Sequence, residues 1–189
     1  MLGRMPNPSS ALHGAAVLAD PLVAELVVQP LVAVLATHEP DGSIHAVPLW
    51  FAPGNGDDLL LATGAASRKV ENLRRDPRAT LTLHDSRPGC EVCGACLMGE
   101  AVVVEGEDAR PLVERVHERY VSASGMELPE VARFLASDDA AVRFRPVRAF
   151  TWDQRETAAS LALRAAGGAL PLVATSPRPS GAPPVDPLQ

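Results

Sequence analysis

The chain has 189 residues and carries 17 basic against 23 acidic side chains, a formal charge of −6. That length suits one compact domain with extensions rather than two full domains, and 47% hydrophobic residues with only 4% aromatic call for a core of Val, Leu and Ala and exclude a disordered chain. The acidic balance argues against a main role in gripping nucleic acid or an anionic membrane, since both need a broad positive face.

Residues 1–19, with Pro6 and Pro8 among small polar residues, read as a flexible N-terminal arm. No stretch approaches the roughly 20 apolar residues of a membrane span, and residues 11–19 make a poor signal peptide because His13 and Gly14 interrupt them. The three cysteines all fall within Cys90–Cys96, no scaffold of bridges, which fits a reducing compartment and a cytoplasmic protein.

Asp20-Pro21 is a helix start, an N-cap followed by proline at the first helical position, and the helix runs to residue 28. Residues 31–38 and 43–51 flank the turn Glu39-Pro-Asp-Gly42 and read as a β-hairpin. The first of these strands is apolar on both faces, which fits a barrel wall covered outside by a helix or a partner subunit. Leu59–Thr63 is a third strand, and Ser67–Asp76 a short amphipathic helix with Val70 and Leu73 on one face, stopped by Pro77. Residues 78–84 and 95–104 are strands, 108–122 and 127–136 are helices with Leu112, Val113, Val116 and Tyr120 inward, and Val142–Trp152 is a closing strand. The histidines His13, His38 and His117 read as surface residues. Residues 155–189, rich in Ala and then Pro, form an extension: one weak helix, then a disordered tail. Hairpin-linked strands with one crossover helix suggest a small antiparallel barrel over residues 20–154.

The segment Thr63-Gly-Ala-Ala-Ser67-Arg68-Lys69 carries the most chemistry. A helix start presents unpaired N–H groups and partial positive charge, so a cation in the first turn costs about 0.3–1 kcal/mol unless an anion sits nearby. Arg68 and Lys69 occupy that turn, with the Thr63 and Ser67 hydroxyls and a glycine that permits close approach beside them. A phosphate fits this set. The plainer alternative is a solvated basic face that aids solubility.

Cys90-x-x-Cys93-x-x-Cys96 has the spacing of a metal site, but a tetrahedral site needs a fourth ligand and no other cysteine exists. In a regular strand Cys93 points opposite to Cys90 and Cys96, so small buried wall residues are the plainer reading, with a redox pair next and a metal at Cys90, Cys93 and Cys96 after that.

Five stretches resemble the flavin-binding split β-barrel superfamily of pyridoxamine 5'-phosphate oxidase-like proteins and flavin- or deazaflavin-dependent oxidoreductases: Leu35–Ser43, Val47-Pro-Leu-Trp-Phe51, Thr63–Lys69, Asn72-Leu-Arg-Arg-Asp-Pro-Arg78 and Gly99-Glu-Ala101. They run in family order across residues 20–152, and Val142–Asp153 resembles the closing strand of single-barrel members. The resemblance implies a mainly β fold with flanking helices, an FMN-binding split barrel. It implies cofactor contacts from Ala46, Val47, Pro48, Leu49 and Trp50, with Thr63, Ser67, Arg68 and Lys69 on the cofactor phosphate. It also implies a homodimer with the cofactor between subunits, and it puts His45 at the start of the cofactor-lining strand as a candidate proton donor.

Two departures limit it. Residues 153–189 carry no motif for a substrate phosphate, so pyridoxal phosphate synthesis is not expected, and Cys93, Gly94 and Ala95 stand where many members have a glutamine or aromatic residue. The expected activity is hydride transfer from FMN or coenzyme F420 to an electron-poor organic molecule. The likeness of Pro48–Phe51 and Asn72–Arg78 leans toward the deazaflavin. The alternative is a non-catalytic barrel that stores or senses flavin, or holds haem.

Overall fold

The computed structural model describes residues 12–13, 16–85 and 93–165. They form β1 (Leu12–His13), α1 (Ala16–Ala19), α2 (Pro21–Val28), β2 (Ala33–His38), β3 (Ile44–Leu49), β4 (Phe51–Pro53) and β5 (Leu59–Thr63). There follow α3 (Arg68–Arg75), β6 (Arg78–His84), β7 (Cys93–Glu105), α4 (Arg110–Tyr120), α5 (Ala123–Met126), α6 (Pro129–Leu135), β8 (Ala140–Asp153) and α7 (Ala158–Ala165).

The strands pair antiparallel in the order β3-β2-β6-β7-β8-β5-β4. Because β4 continues β3 after Trp50, one bent ribbon supplies both ends of that order and closes the sheet on itself. The result is mainly β with flanking helices, as the sequence led us to expect. Gly42, at φ +86°, turns the β2–β3 hairpin, and the Asp41 carboxylate locks the turn by accepting from the Ser43 N–H at 2.9 Å and hydroxyl at 2.6 Å. A bulge falls between Met98 and Gly99, where a Cβ on Gly99 would sit 2.1 Å from the Arg145 carbonyl oxygen.

Alternation along the strands sends Leu35, Leu81, Leu83, Leu97, Val142 and Phe144 into the barrel. The α2 helix is started by the Asp20 carboxylate, which accepts from the Leu22 and Val23 N–H groups at 3.0 and 3.1 Å, and it adds Val23, Leu26 and Val27 to that core. From α3, Leu73 enters the same core, while buried Asn72 donates to the Thr37 hydroxyl at the end of β2. The β5 strand is buried throughout: Leu59 and Leu61 face the barrel interior, whereas Leu60 and Ala62 face a second cluster under α4 with Val113 and Val116. Four consecutive apolar residues ahead of Thr63 are what a strand packed on both faces requires.

The structure departs from the sequence reading in three places. First, β1 pairs with β8 and Val17 is fully buried in the barrel core, so packed structure begins ahead of residue 20; the run Ala16–Ala19 is short but apolar enough to be worth burying. Second, His117 is not a surface residue: it is 5% exposed on the inward face of α4, one turn after Val113. Third, the two helices expected at 108–122 and 127–136 are shorter, Arg110–Tyr120 and Pro129–Leu135, and the gap between them holds a separate helical turn, α5, which Ser122 caps through the Gly125 N–H. The 155–189 extension contains α7, and the tail expected after its helix falls in residues 166–189, outside the described residues. Among the described residues no helix is long and apolar enough to cross a membrane.

Tyr120 ties these layers together. Its hydroxyl donates to the Leu31 carbonyl at 2.6 Å and accepts the Phe51 N–H at 3.2 Å, and burial pushes the phenol pKa up. Tyr120→Phe leaves those backbone groups without their partner and is expected to lower stability by about 1–3 kcal/mol in chemical denaturation, with the fold retained.

Candidate functional site

The doubly buried β5 ends at Thr63, which is 2% exposed, and the loop 64–67 then delivers the chain to α3. Ser67 is the N-cap residue of α3, yet its side chain makes no capping bond. The Val70 and Glu71 N–H groups both donate to the Ser67 carbonyl, at 3.0 and 3.1 Å, which leaves the earlier donors of the turn, on Arg68 and Lys69, directed out of the helix end. The Ser67 hydroxyl instead lies 3.4 Å from the Thr63 hydroxyl, and the Lys69 ammonium donates to that same Thr63 oxygen at 2.9 Å. Two hydroxyls and an ammonium thus converge at an uncapped helix start.

Half-buried Lys69 has its pKa lowered by desolvation, with the Asp138 carboxylate pulling the other way. A cation held at the positive end of a helix dipole, and partly desolvated there, is complementary to a phosphate. These residues fit the phosphate of a flavin-type cofactor.

Arg68 is drawn elsewhere. Its guanidinium meets Glu39, in the β2–β3 turn, at 3.0 Å, and the other oxygen of Glu39 lies 3.9 Å from His45 Nδ1. Glu39 therefore gathers Arg68 and His45 on one side of the helix start. The expected lining strand divides by alternation. Val47 and Leu49, paired opposite Leu35 and Ala33, are half-buried on the face that His45 shares, while Ala46 and Pro48 are exposed on the other face with Ile44. Their side chains do not line one ligand together, although the backbone of this ribbon runs past both faces. Trp50 sits at the bend, its ring stacked on Tyr120 at 4.8 Å and edge-on to His117 at 6.4 Å and Phe134 at 6.3 Å. Its indole is committed to the layer beneath α4.

The glycine of the loop has a different neighbour from the one expected. A Cβ on Gly64 would sit 3.1 Å from the Ser137 carbonyl oxygen, so this glycine seats the loop that leads into β8. From that loop Asp139 accepts the Ala65 N–H at 2.6 Å, and Asp138 accepts from His117 Nε2 at 2.9 Å. Asp138, Asp139, His117 and Glu39 were not legible as site residues: they reach α3 from distant parts of the sequence, with no local spacing to mark them.

Cys93 is buried in the barrel core, whereas Cys96 is half-buried on the outer face opposite the Thr82 hydroxyl at 3.9 Å, so the two do not point at one ion. Cys90 lies outside the described residues, and among the described residues no group of three His, Cys, Asp or Glu side chains is placed to hold a metal. Gly94, between the cysteines, leaves room for Trp152: a Cβ there would sit 2.2 Å from its ring.

A family model described as pyridoxamine 5'-phosphate oxidase matches residues 19–153. A solved structure of a conserved hypothetical protein from Mycobacterium tuberculosis is 30% identical, with a TM-score of 0.60, over 78% of this chain and 89% of that one. An F420 reductase is 22% identical, TM-score 0.54, over 67% of this chain and 94% of its own. HutZ, the heme storage protein of Vibrio cholerae, is 16% identical, TM-score 0.55, over 70% and 94%. These last two share the fold. No curated protein matches the chain.

Lys69→Met is expected to change the melting temperature little, because the lost bond to Thr63 is offset by removing a partly desolvated charge, while binding of inorganic phosphate weakens markedly. Burial lowers the folded pKa of Lys69, so near its titration the unfolded chain binds the extra proton and stability rises with pH toward the ordinary lysine value. That rise is absent in Lys69→Met. Arg68→Ala is expected to weaken phosphate less, since Glu39 already holds the guanidinium.

Proposed function

The chain belongs to the pyridoxamine 5'-phosphate oxidase family of split β-barrels, and on that premise we propose that it is an oxidoreductase that binds FMN or coenzyme F420 and reduces an electron-poor small organic molecule. The observation that carries this reading is the convergence of Lys69 Nζ with the Thr63 and Ser67 hydroxyls at the uncapped start of α3.

When bound, such a cofactor supplies a hydride from its ring, and the protein's task is to bind, orient and exclude water. Lys69, Thr63, Ser67 and the first-turn N–H groups hold the phosphate, with Arg68 released from Glu39 to join them. The ribbon Ala46–Trp50 carries the ring and sugar chain along its backbone, with Val47 and Leu49 on one face and Ala46 and Pro48 on the other. His45, beside Glu39, is the proton donor of this arrangement, and His45→Asn is its direct test.

We further propose that the protein acts as a cytoplasmic homodimer. The outer face of the sheet leaves Val34, Ile44, Val147 and Phe150 between 40% and 57% exposed, and Ile44 and Val147 line a cleft of about 610 Å³ there. Apolar exposure of this kind on one sheet face supports an interface there. A second subunit on this face completes the cofactor site.

Titrating FMN and coenzyme F420 separately against the purified chain, followed by cofactor fluorescence, tests the reading. Micromolar binding of one of them, weakened at least about tenfold by Lys69→Ala, is the expected result. Oxidation of the reduced cofactor on adding a quinone then supports the enzyme. Binding without turnover supports the non-catalytic flavin- or haem-binding barrel instead. If neither cofactor binds at micromolar concentration, the proposal fails.

A further inference from the structure

A second cavity lies on the other side of the loop 64–67, between α4, α6 and the turn 136–139. Its volume is about 940 Å³, the size of a pocket for a drug-like organic molecule. Val113, Met126 and Leu135 form an apolar wall, and the convergent polar groups are His117 and Asp138. His117 is 5% exposed and its Nε2–H donates to Asp138 at 2.9 Å, so the carboxylate is oriented by a buried imidazole rather than by solvent.

Carboxylates outnumber cations in the cavity lining. Four carboxylates line it, from Glu105, Glu114, Asp138 and Asp139, against the single guanidinium of Arg110. Glu114 is satisfied by Arg110 at 2.9 Å and Glu105 by Arg74 at 2.5 Å, and Asp139 is engaged by the Ala65 N–H. Asp138 is the remaining carboxylate: its Oδ2 meets His117, and the Lys69 ammonium of α3 interacts with it electrostatically. Beside the apolar wall, Asp138 is the acceptor that the cavity offers to a cation.

We propose that this cavity is a binding site for a small organic cation, an apolar body bearing a protonated amine, with Asp138 as the anchor for the ammonium and His117 as the residue that positions Asp138. The site is separate from the phosphate cradle and of opposite preference. The proposal stands independently of the cofactor reading.

The test uses the full chain without added cofactor, labelled with ¹³C at its methionine methyl groups, with Met126 assigned by Met126→Leu. Met126 lines the cavity, whereas Met98 lies on the outer face of β7 and serves as the internal control. Addition of 2-phenylethylamine at neutral pH is expected to shift the Met126 resonance saturably, with a Kd of about 1 mM or tighter, and to leave Met98 in place. Its anionic counterpart 3-phenylpropionate is expected to leave Met126 unmoved. Asp138→Asn is expected to weaken the amine about tenfold while the Met98 resonance keeps its position, which reports an intact barrel. Equal shifts from amine and carboxylate, no shift from either, or undiminished amine binding by a folded Asp138→Asn chain would overturn the proposal. The comparison of the two ligands on the unsubstituted chain decides the matter even where the variant does not fold.

Discussion

The burial of β5 on both faces is the constraint from which the candidate site follows. Leu59 and Leu61 are fixed by the barrel core and Leu60 and Ala62 by the layer under α4, so the strand has no face on which to slip. Pairing with β8 sets Thr63 opposite Ala140, next to the turn that carries Asp138 and Asp139. A threonine hydroxyl is thereby placed at a rigid strand end, one short loop before a helix that has no cap of its own. The site is built on a fixed strand and a short helix rather than on a long loop, which is how geometry precise enough for ligand recognition is kept.

Electrostatics then divides the region in two. Residues 65–80 hold five basic and two acidic side chains in a chain whose total is −6, so positive charge is concentrated at α3. Asp76 pairs with Arg78 within the segment, and the other acids that answer it come from elsewhere in the sequence: Glu39 from the β2–β3 turn, Asp138 and Asp139 from the turn before β8, and Glu105 from the end of β7. Each restrains one basic group or one N–H at the helix start. Lys69 is left with a hydroxyl as its hydrogen-bond partner and only a longer-range carboxylate, and that imbalance distinguishes a ligand-ready cation from a paired one.

The sequence made local features readable and long-range ones unreadable. The hairpin at Glu39–Gly42, the Asp20-Pro21 helix start and the alternation of β6 follow from turn chemistry and period, and all are present. The hydroxyl and ammonium set of Thr63, Ser67 and Lys69 was legible because it lies within seven residues, and the structure brings those three together. His117 was misjudged although its spacing from Val113, Val116 and Tyr120 puts it on the inward face of α4; the polar residue type outweighed its position, and the partner that satisfies it, Asp138, stands twenty-one positions later. The two faces of Ala46–Leu49 were readable in principle from strand alternation, but a ligand-lining role assigned to the whole run obscured it. Val17 escaped for a simpler reason: a four-residue helix has too little pattern to register, and only the groove it fills shows why it is ordered.

Lys69 is the single lysine of the chain, which makes the central claim open to one direct measurement. Lysine labelled with ¹³C at Cε gives one resonance whose pH titration reports that ammonium alone. If Lys69 belongs to a phosphate cradle, it titrates below an ordinary lysine in phosphate-free buffer, and its pKa moves up when FMN or coenzyme F420 is added to saturation. A resonance that titrates as an ordinary lysine and does not respond to either cofactor would contradict the account.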